Sequence, residues 1–218
     1  MEDRLTPELW LDLADLPADA YLAEVLTPTA NEVGVERATW WANAHPNRRD
    51  LPRTIGEFET LGLYELTPGA SAKDAPAGVT RLHFRRTPRP GQGIQTGRPT
   101  VGLLLVLISP TDSDLGQALR DWADFVHIRH IAGASVPGYG MITPYERIDR
   151  AGPARYLHLY EIDDHDPETV FRSMVPRVIE RVGPTGTPAF DEWAGHPALV
   201  IDYVNTFRLL GVSAAVPA

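Results

Sequence analysis

Residues Asp121–Gly140 read DWADFVHIRHIAGASVPGYG. Leu115, Ala118, Leu119, Trp122 and Val126 precede or open this stretch. At roughly 100° per residue they form one apolar stripe of an amphipathic helix. Thr111–Asp114 supply the capping residues, so the spacing predicts a helix from Leu115 to about His130. Pro137-Gly138 is a turn signal, and Pro137–Arg147 reads as a strand. On the same wheel His130 lies about 60° from the stripe centre and His127 about 120°. His130 is therefore expected half-buried against a sheet, and His127 at the stripe's edge, near a groove or solvent.

Working outward, VGLLLVLIS (101–109) is apolar on both faces, as in a strand buried on both sides. ARYLHLYEI (Ala154–Ile162) is a further strand. Asp166-Pro167-Glu168 opens a helix to about Val182. Gly183–Pro188 is a loop, and Leu199–Leu209 (LVIDYVNTFRL) is the last strand. The order β-α-β-β-α-β is ferredoxin-like.

Upstream, Thr6-Pro7-Glu8 followed by Leu9, Leu13 and Leu16 reads as a helix start, with a second helical piece over Ala18–Leu26. Val35–Ala44, Phe58–Leu66 and Val79–Arg86 read as strands. The two halves align. PADAYLAEVLTPTANEVGVERATWWANA lies beside DWADFVHIRHIAGASVPGYGMITPYERI, and Leu63-Tyr64-Glu65 lies on Leu159-Tyr160-Glu161. This is a tandem repeat whose first copy is degenerate, with its first strand and second helix short or missing. TPRPGQGIQTGRPT (87–100) holds three prolines and three glycines, the composition of a linker. The units are set at residues 1–90 and 101–218, with the linker proper at 91–100.

The chain has 218 residues, 20 basic and 29 acidic, with a formal net charge of −9. That balance argues against nucleic acid or an anionic membrane as the main partner. The absence of cysteine removes disulfides, thiolate nucleophiles and cysteine-bound metal centres. MEDRLTPELW lacks the apolar run of a signal peptide, and Val101–Ile108 is too short to span a bilayer. A soluble cytoplasmic protein is expected, monomeric or homodimeric.

Trp122, His127 five residues later, and then a Pro-Gly turn into a strand together resemble the EthD-like branch of the dimeric α+β barrel superfamily. Its relatives include antibiotic-biosynthesis monooxygenases, muconolactone isomerases and small aromatic-polyketide cyclases. The resemblance covers residues 101–211 well and 7–86 weakly. It implies an α+β fold in which two ferredoxin-like units pair antiparallel sheets into a barrel. Here both units lie in one chain, so one polypeptide would close its own barrel. The family histidine is His127 by distance from Trp122, or His130 by distance to the turn. The first copy has Tyr21 or a neighbour at that place.

Strand alternation puts Tyr156, His158 and Tyr160 on one face of ARYLHLYEI, and Leu157, Leu159 and Glu161 on the other. The leucines suit packing under helices, which would turn the Tyr-His-Tyr face into the barrel. Tyr64 lies on the equivalent face of the first copy. Histidine flanked by phenols suits proton transfer on an enol or phenol. His158, His127 and Tyr160 are therefore the candidate catalytic residues. Trp122, His130, Tyr156, Tyr203, Asn205, Tyr64 and Trp40 are the candidate substrate-binding residues. Arg81 to Arg98 read as a solvated strand edge and linker. His127 and His130 have spacing that can share a metal, but without the acid of zinc helix motifs no metal is expected.

The function expected is a cofactor-independent oxygenase, cyclase or isomerase acting by proton transfer on a small apolar, aromatic or polyketide-like molecule in a barrel pocket. The alternatives are a non-catalytic small-molecule binding protein and a haem protein, since peroxidases and chlorite-dismutase-like proteins share this fold type.

Overall fold

A computed structural model describes residues 6–70 and 74–214. The strands are β1 (Glu8–Ala14), β2 (Val35–Asn43), β3 (Thr60–Leu66), β4 (Val79–Arg86), β5 (Gln92–Gly93), β6 (Gly102–Pro110), β7 (Tyr139–Arg147), β8 (Tyr156–Ile162) and β9 (Leu199–Ala214). Helix α1 comprises Ala18–Tyr21, a π-helical turn over Leu22–Leu26, and Thr27–Ala30. Helix α2 opens as a 3-10 turn, Ser113–Leu115, capped by the Asp112 carboxylate on the Asp114 N–H. It continues through Gly116–Trp122, a π turn over Ala123–His127, and Ile128–Gly133. Helix α3 is Pro167–Val182, and α4 is Pro188–Ala194, a short helix that begins where the expected Gly183–Pro188 loop ends.

The strand order is β4-β1-β3-β2-β9-β6-β8-β7, with β5 beyond β7 and a β4–β7 pairing that closes the ring. Each half, β4-β1-β3-β2 and β9-β6-β8-β7, has the ferredoxin-like order. The halves meet at two antiparallel seams, where Phe84, Arg85 and Arg86 pair with Arg147, Glu146 and Tyr145, and where β2 runs along β9. The chain is thus an α+β barrel closed by one polypeptide.

The expected helix from Thr6 is instead strand β1, central in the first half and paired with both β3 and β4. Its sequence, ELWLDLA, also has period two. Leu9, Leu11 and Leu13 enter the barrel core, while Trp10 and Ala14 pack under α1. Leu9 and Leu13 satisfy helical and strand spacing alike. Pairing on both edges and burial on both faces decide for the strand. The degeneracy of the first unit lies in its second helix only, since no helix occurs among the described residues between β3 and β4.

The barrel interior is filled by leucines and aromatics, among them Leu61, Leu63, Leu103, Leu105, Leu107, Leu157, Phe84 and Phe207. It is a packed core, and helices cover the outside. Under α1 the outer face is also filled. The Tyr21 hydroxyl meets Tyr64 Oη at 2.7 Å and donates to Asp12 Oδ2 at 3.1 Å. Arg81 donates to both Asp12 oxygens, at 2.7 and 2.8 Å, and lies over the Trp10 ring. The expectation of a solvated strand edge therefore fails at Arg81, which is shielded with its carboxylate.

Gly62 permits this packing: a Cβ there would sit 1.8 Å from the Tyr21 hydroxyl. Gly62→Ala is expected to lower unfolding free energy by about 1–3 kcal/mol, the usual cost of overpacking. The cost should shrink in a Tyr21→Phe background, and urea unfolding of the four combinations measures both.

Candidate functional site between the second sheet and its helices

The site is decided by which way β8 faces. Leu157 and Leu159 pair with Leu107 and Leu105 of β6, and this leucine face enters the barrel. Tyr156, His158 and Tyr160 pair with Ile108, Val106 and Leu104 and point outward, beneath α2 and α3. The expectation that the Tyr-His-Tyr face lines the barrel interior is overturned. Both faces of β8 are buried, so alternation separates the two sets without saying which layer each meets. The apolar bulk needed to fill a closed barrel draws the leucines in.

A cavity of about 190 Å³ lies on the outer face. Leu104, Val106, His158, Tyr160, Ile201 and Val204 form its floor, from β6, β8 and β9. Trp122, Ala123 and His127 of α2 roof it, with Phe171 and Met174 of α3 and Ala194 of α4. Leu51, from the connection between β2 and β3, also lines it. The wall is apolar apart from the two imidazoles, the Tyr160 phenol and the Trp122 indole. That indole N–H is already committed to the Glu192 carbonyl at 2.7 Å.

His127 is fixed by α4. Its ring stacks on Trp193, 5.3 Å between centroids and 4° from parallel, and Trp122 lies on it at 5.1 Å. Nδ1 lies 2.9 Å from the Trp193 carbonyl, and the Trp193 indole returns a bond to the His127 carbonyl at 3.2 Å. A carbonyl only accepts, so Nδ1 carries the proton and Nε2 keeps its lone pair. Burial lowers the His127 pKa below the ordinary histidine value.

His127, expected near a groove or solvent, lines the cavity, and His130, expected against the sheet, does not. His130 sits outside the cavity beside α3, where Arg181 Nε donates to its Nδ1 at 3.4 Å. A π turn at Ala123–His127 interrupts helix α2. It inserts a residue into the helical repeat and breaks the 100° phase on which the wheel depends.

His158 lies on the cavity floor with Nε2 3.7 Å from Asp124 Oδ1. Burial, then the neighbouring His127, push its pKa down to about 3, so it is neutral at physiological pH. Asp124 is in the π turn, and Arg89 donates to its Oδ2 at 2.9 Å. Burial raises the Asp124 pKa against the pull of Arg89. Tyr160 is buried, and its phenol pKa is raised by desolvation, so it stays a donor.

Of the sequence-selected residues, His158, His127, Tyr160 and Trp122 come together in this cavity. The others do not line it. The Tyr156 hydroxyl donates to the Gly116 carbonyl at 3.0 Å. Tyr203 is inside the barrel, against Phe58 and hydrogen-bonded to Glu57. Asn205 is spent on the chain's own Asn43, His45 and Arg48. Tyr64 belongs to the filled face under α1, and Trp40 packs on Gly211, where a Cβ would come within 2.3 Å of the indole. Sequence reasoning missed Asp124, Trp193, Phe171 and Leu51. The second aspartate of DWAD was the one available signal for Asp124; the others needed the tertiary fold.

Among the described residues no group of three or more His, Asp or Glu side chains is placed to hold a metal ion. Haem does not fit either. The cavity, about 190 Å³, is well below the roughly 300–1,000 Å³ of drug-sized ligand pockets.

No protein-family profile and no curated protein matches the chain. Several solved structures do resemble it. An anthrone oxidase-like protein superposes with TM-score 0.57 at 12% identity, covering 98% of this chain and 94% of that one. A candidate monooxygenase from Lactobacillus acidophilus gives 0.47 at 11%, covering 96% of each chain. A chlorite dismutase variant from Candidatus Nitrospira defluvii gives 0.49 at 10%, covering 95% and 93%. The likeness is one of fold. No helix among the described residues is long and apolar enough to cross a membrane.

The depressed histidine values carry a stability consequence. Between about 3 and the ordinary value of 6.5 the unfolded chain binds a proton at residue 158 that the folded chain refuses. Stability therefore falls as pH drops through that window, by about 1–2 kcal/mol between pH 6.5 and 5 for this one group. His158→Gln should flatten the pH dependence of the unfolding free energy, measured by urea denaturation, by that amount relative to the parent.

Proposed function

We propose that the chain is a fused two-unit relative of the EthD-like barrels and that its outer cavity is the active site of a proton-transfer enzyme acting on a small, planar, apolar molecule. The single observation carrying this reading is two neutral imidazoles opening into one apolar cavity. An imidazolium is costly there unless an anion forms beside it. A substrate O–H or acidic C–H supplies that anion. The histidine nitrogen gains the proton, and the bonding electron pair stays on the substrate as a phenolate or enolate. Tyr160 donates a hydrogen bond to the charged oxygen. Reprotonation at another carbon makes the reaction an isomerisation, attack on a carbonyl a cyclisation, and reaction with dioxygen an oxygenation. The anthrone oxidase-like neighbour favours the last.

Size narrows the substrate. A dry apolar cavity of about 150 Å³ holds benzene. About 190 Å³ therefore favours a one-ring phenol or enol, and a three-ring molecule requires the segment carrying Leu51 to move.

The test is turnover of a panel of one- to three-ring phenols and enolisable ketones, with and without dioxygen. His127→Ala and His158→Ala are each expected to lower turnover of the best substrate by about 10²-fold or more. Binding, read by thermal shift, should persist. A double variant with full turnover would remove both histidines from the mechanism. Binding without turnover in the parent would favour the second reading, a carrier with the same apolar cavity.

A further inference from the structure

Asp124 lies next to His158 on the cavity floor, and its surroundings are unusual. It is 2% exposed, yet only Oδ2 is partnered, by Arg89. Oδ1 is buried without a hydrogen-bond partner among the described residues. A structural ion pair with Arg89 needs one oxygen, and leaving the second unpaired in a buried place costs free energy. The nearest ring nitrogen is His158 Nε2, at 3.7 Å, on the cavity floor. That separation is beyond a direct hydrogen bond but closes by a small rotation or through one water.

The residues that hold Asp124 come from the segment that reads as a linker. Arg89 also binds Asp121 and lies 4.7 Å above the Phe125 ring. Gln92 of β5 donates to the Asp124 carbonyl, one of the carbonyls that a π turn takes out of the regular helical pattern. The inter-unit segment therefore grips the π turn on both sides of Asp124.

We propose that Asp124 is a positioning residue for His158, held in place by Arg89. Its Oδ1 accepts the His158 Nε2–H. That fixes the tautomer in which Nδ1 carries the lone pair, and it stabilises the ring when it takes a proton. His127 has the opposite tautomer, fixed by the Trp193 carbonyl. The two imidazoles thus differ in orientation and in their counter-charge. His158, with a carboxylate behind it, is the base. His127, with only a carbonyl behind it, is the neutral acceptor that orients the substrate.

This division rests on the proton-transfer reading, but its structural half does not. The experiment is two-dimensional proton–nitrogen NMR of the histidine rings in the full chain, with His158→Gln to assign the signals. Nε2–H is expected for His158 in the parent, and that preference should be lost in Asp124→Asn and weakened in Arg89→Gln. Arg89→Lys should restore it. Turnover should fall in step, by about 10²-fold in kcat for Asp124→Asn with KM little changed. A parent His158 protonated on Nδ1, or an unchanged tautomer in folded Asp124→Asn, overturns the assignment; the parent spectrum decides even where the variant does not fold. The tautomer changing as expected in a chain that turns over none of the panel removes the enzymatic reading and leaves the Asp124 assignment standing.

Discussion

Everything in this molecule depends on filling a closed barrel with apolar side chains. Eight strands leave an interior that only close-packed leucines and aromatics occupy without voids, and every strand must present one face to it. On β8 the polar and titratable face is thereby turned outward, beneath the helices. The position of the candidate site follows from this exclusion. His158 and Tyr160 sit between sheet and helix because Leu157 and Leu159 are needed inside.

The two halves then use the same outer face differently. Gly62 in β3 and His158 in β8 hold matching places in their strands. In the first half the space over the glycine is taken by Tyr21, which ties to Tyr64 and to the shielded Asp12–Arg81 pair. In the second half a histidine stands there, and the helix above keeps its distance, leaving a cavity. One face is closed by a hydrogen-bonded plug, and the other holds a cavity.

The helix that roofs the cavity owes its usefulness to an irregularity. Both α1 and α2 contain a π turn after their first turns of α-helix. In α2 this turn carries His127, which lines the cavity, and Asp124, which lies beside His158. It is pinned by Arg89 and Gln92 of the inter-unit segment and by the stacked pair His127–Trp193.

By itself the sequence determined the α+β class, the four strands and two long helices of the second half, and three of the cavity's polar residues, His127, His158 and Tyr160. These follow from local spacing: alternation, capping and turn chemistry act over a few residues and are written in order along the chain. Only the tertiary structure decided that Glu8–Ala14 is a strand, because Leu9 and Leu13 fit two periods and edge pairing chose between them. It also decided which face of β8 meets the barrel, which histidine of HIRH meets the cavity, and that Asp124 stands behind His158. Those outcomes depend on what lies across from each residue. A strand buried on both faces and a helix broken by a π turn give no local sign of it.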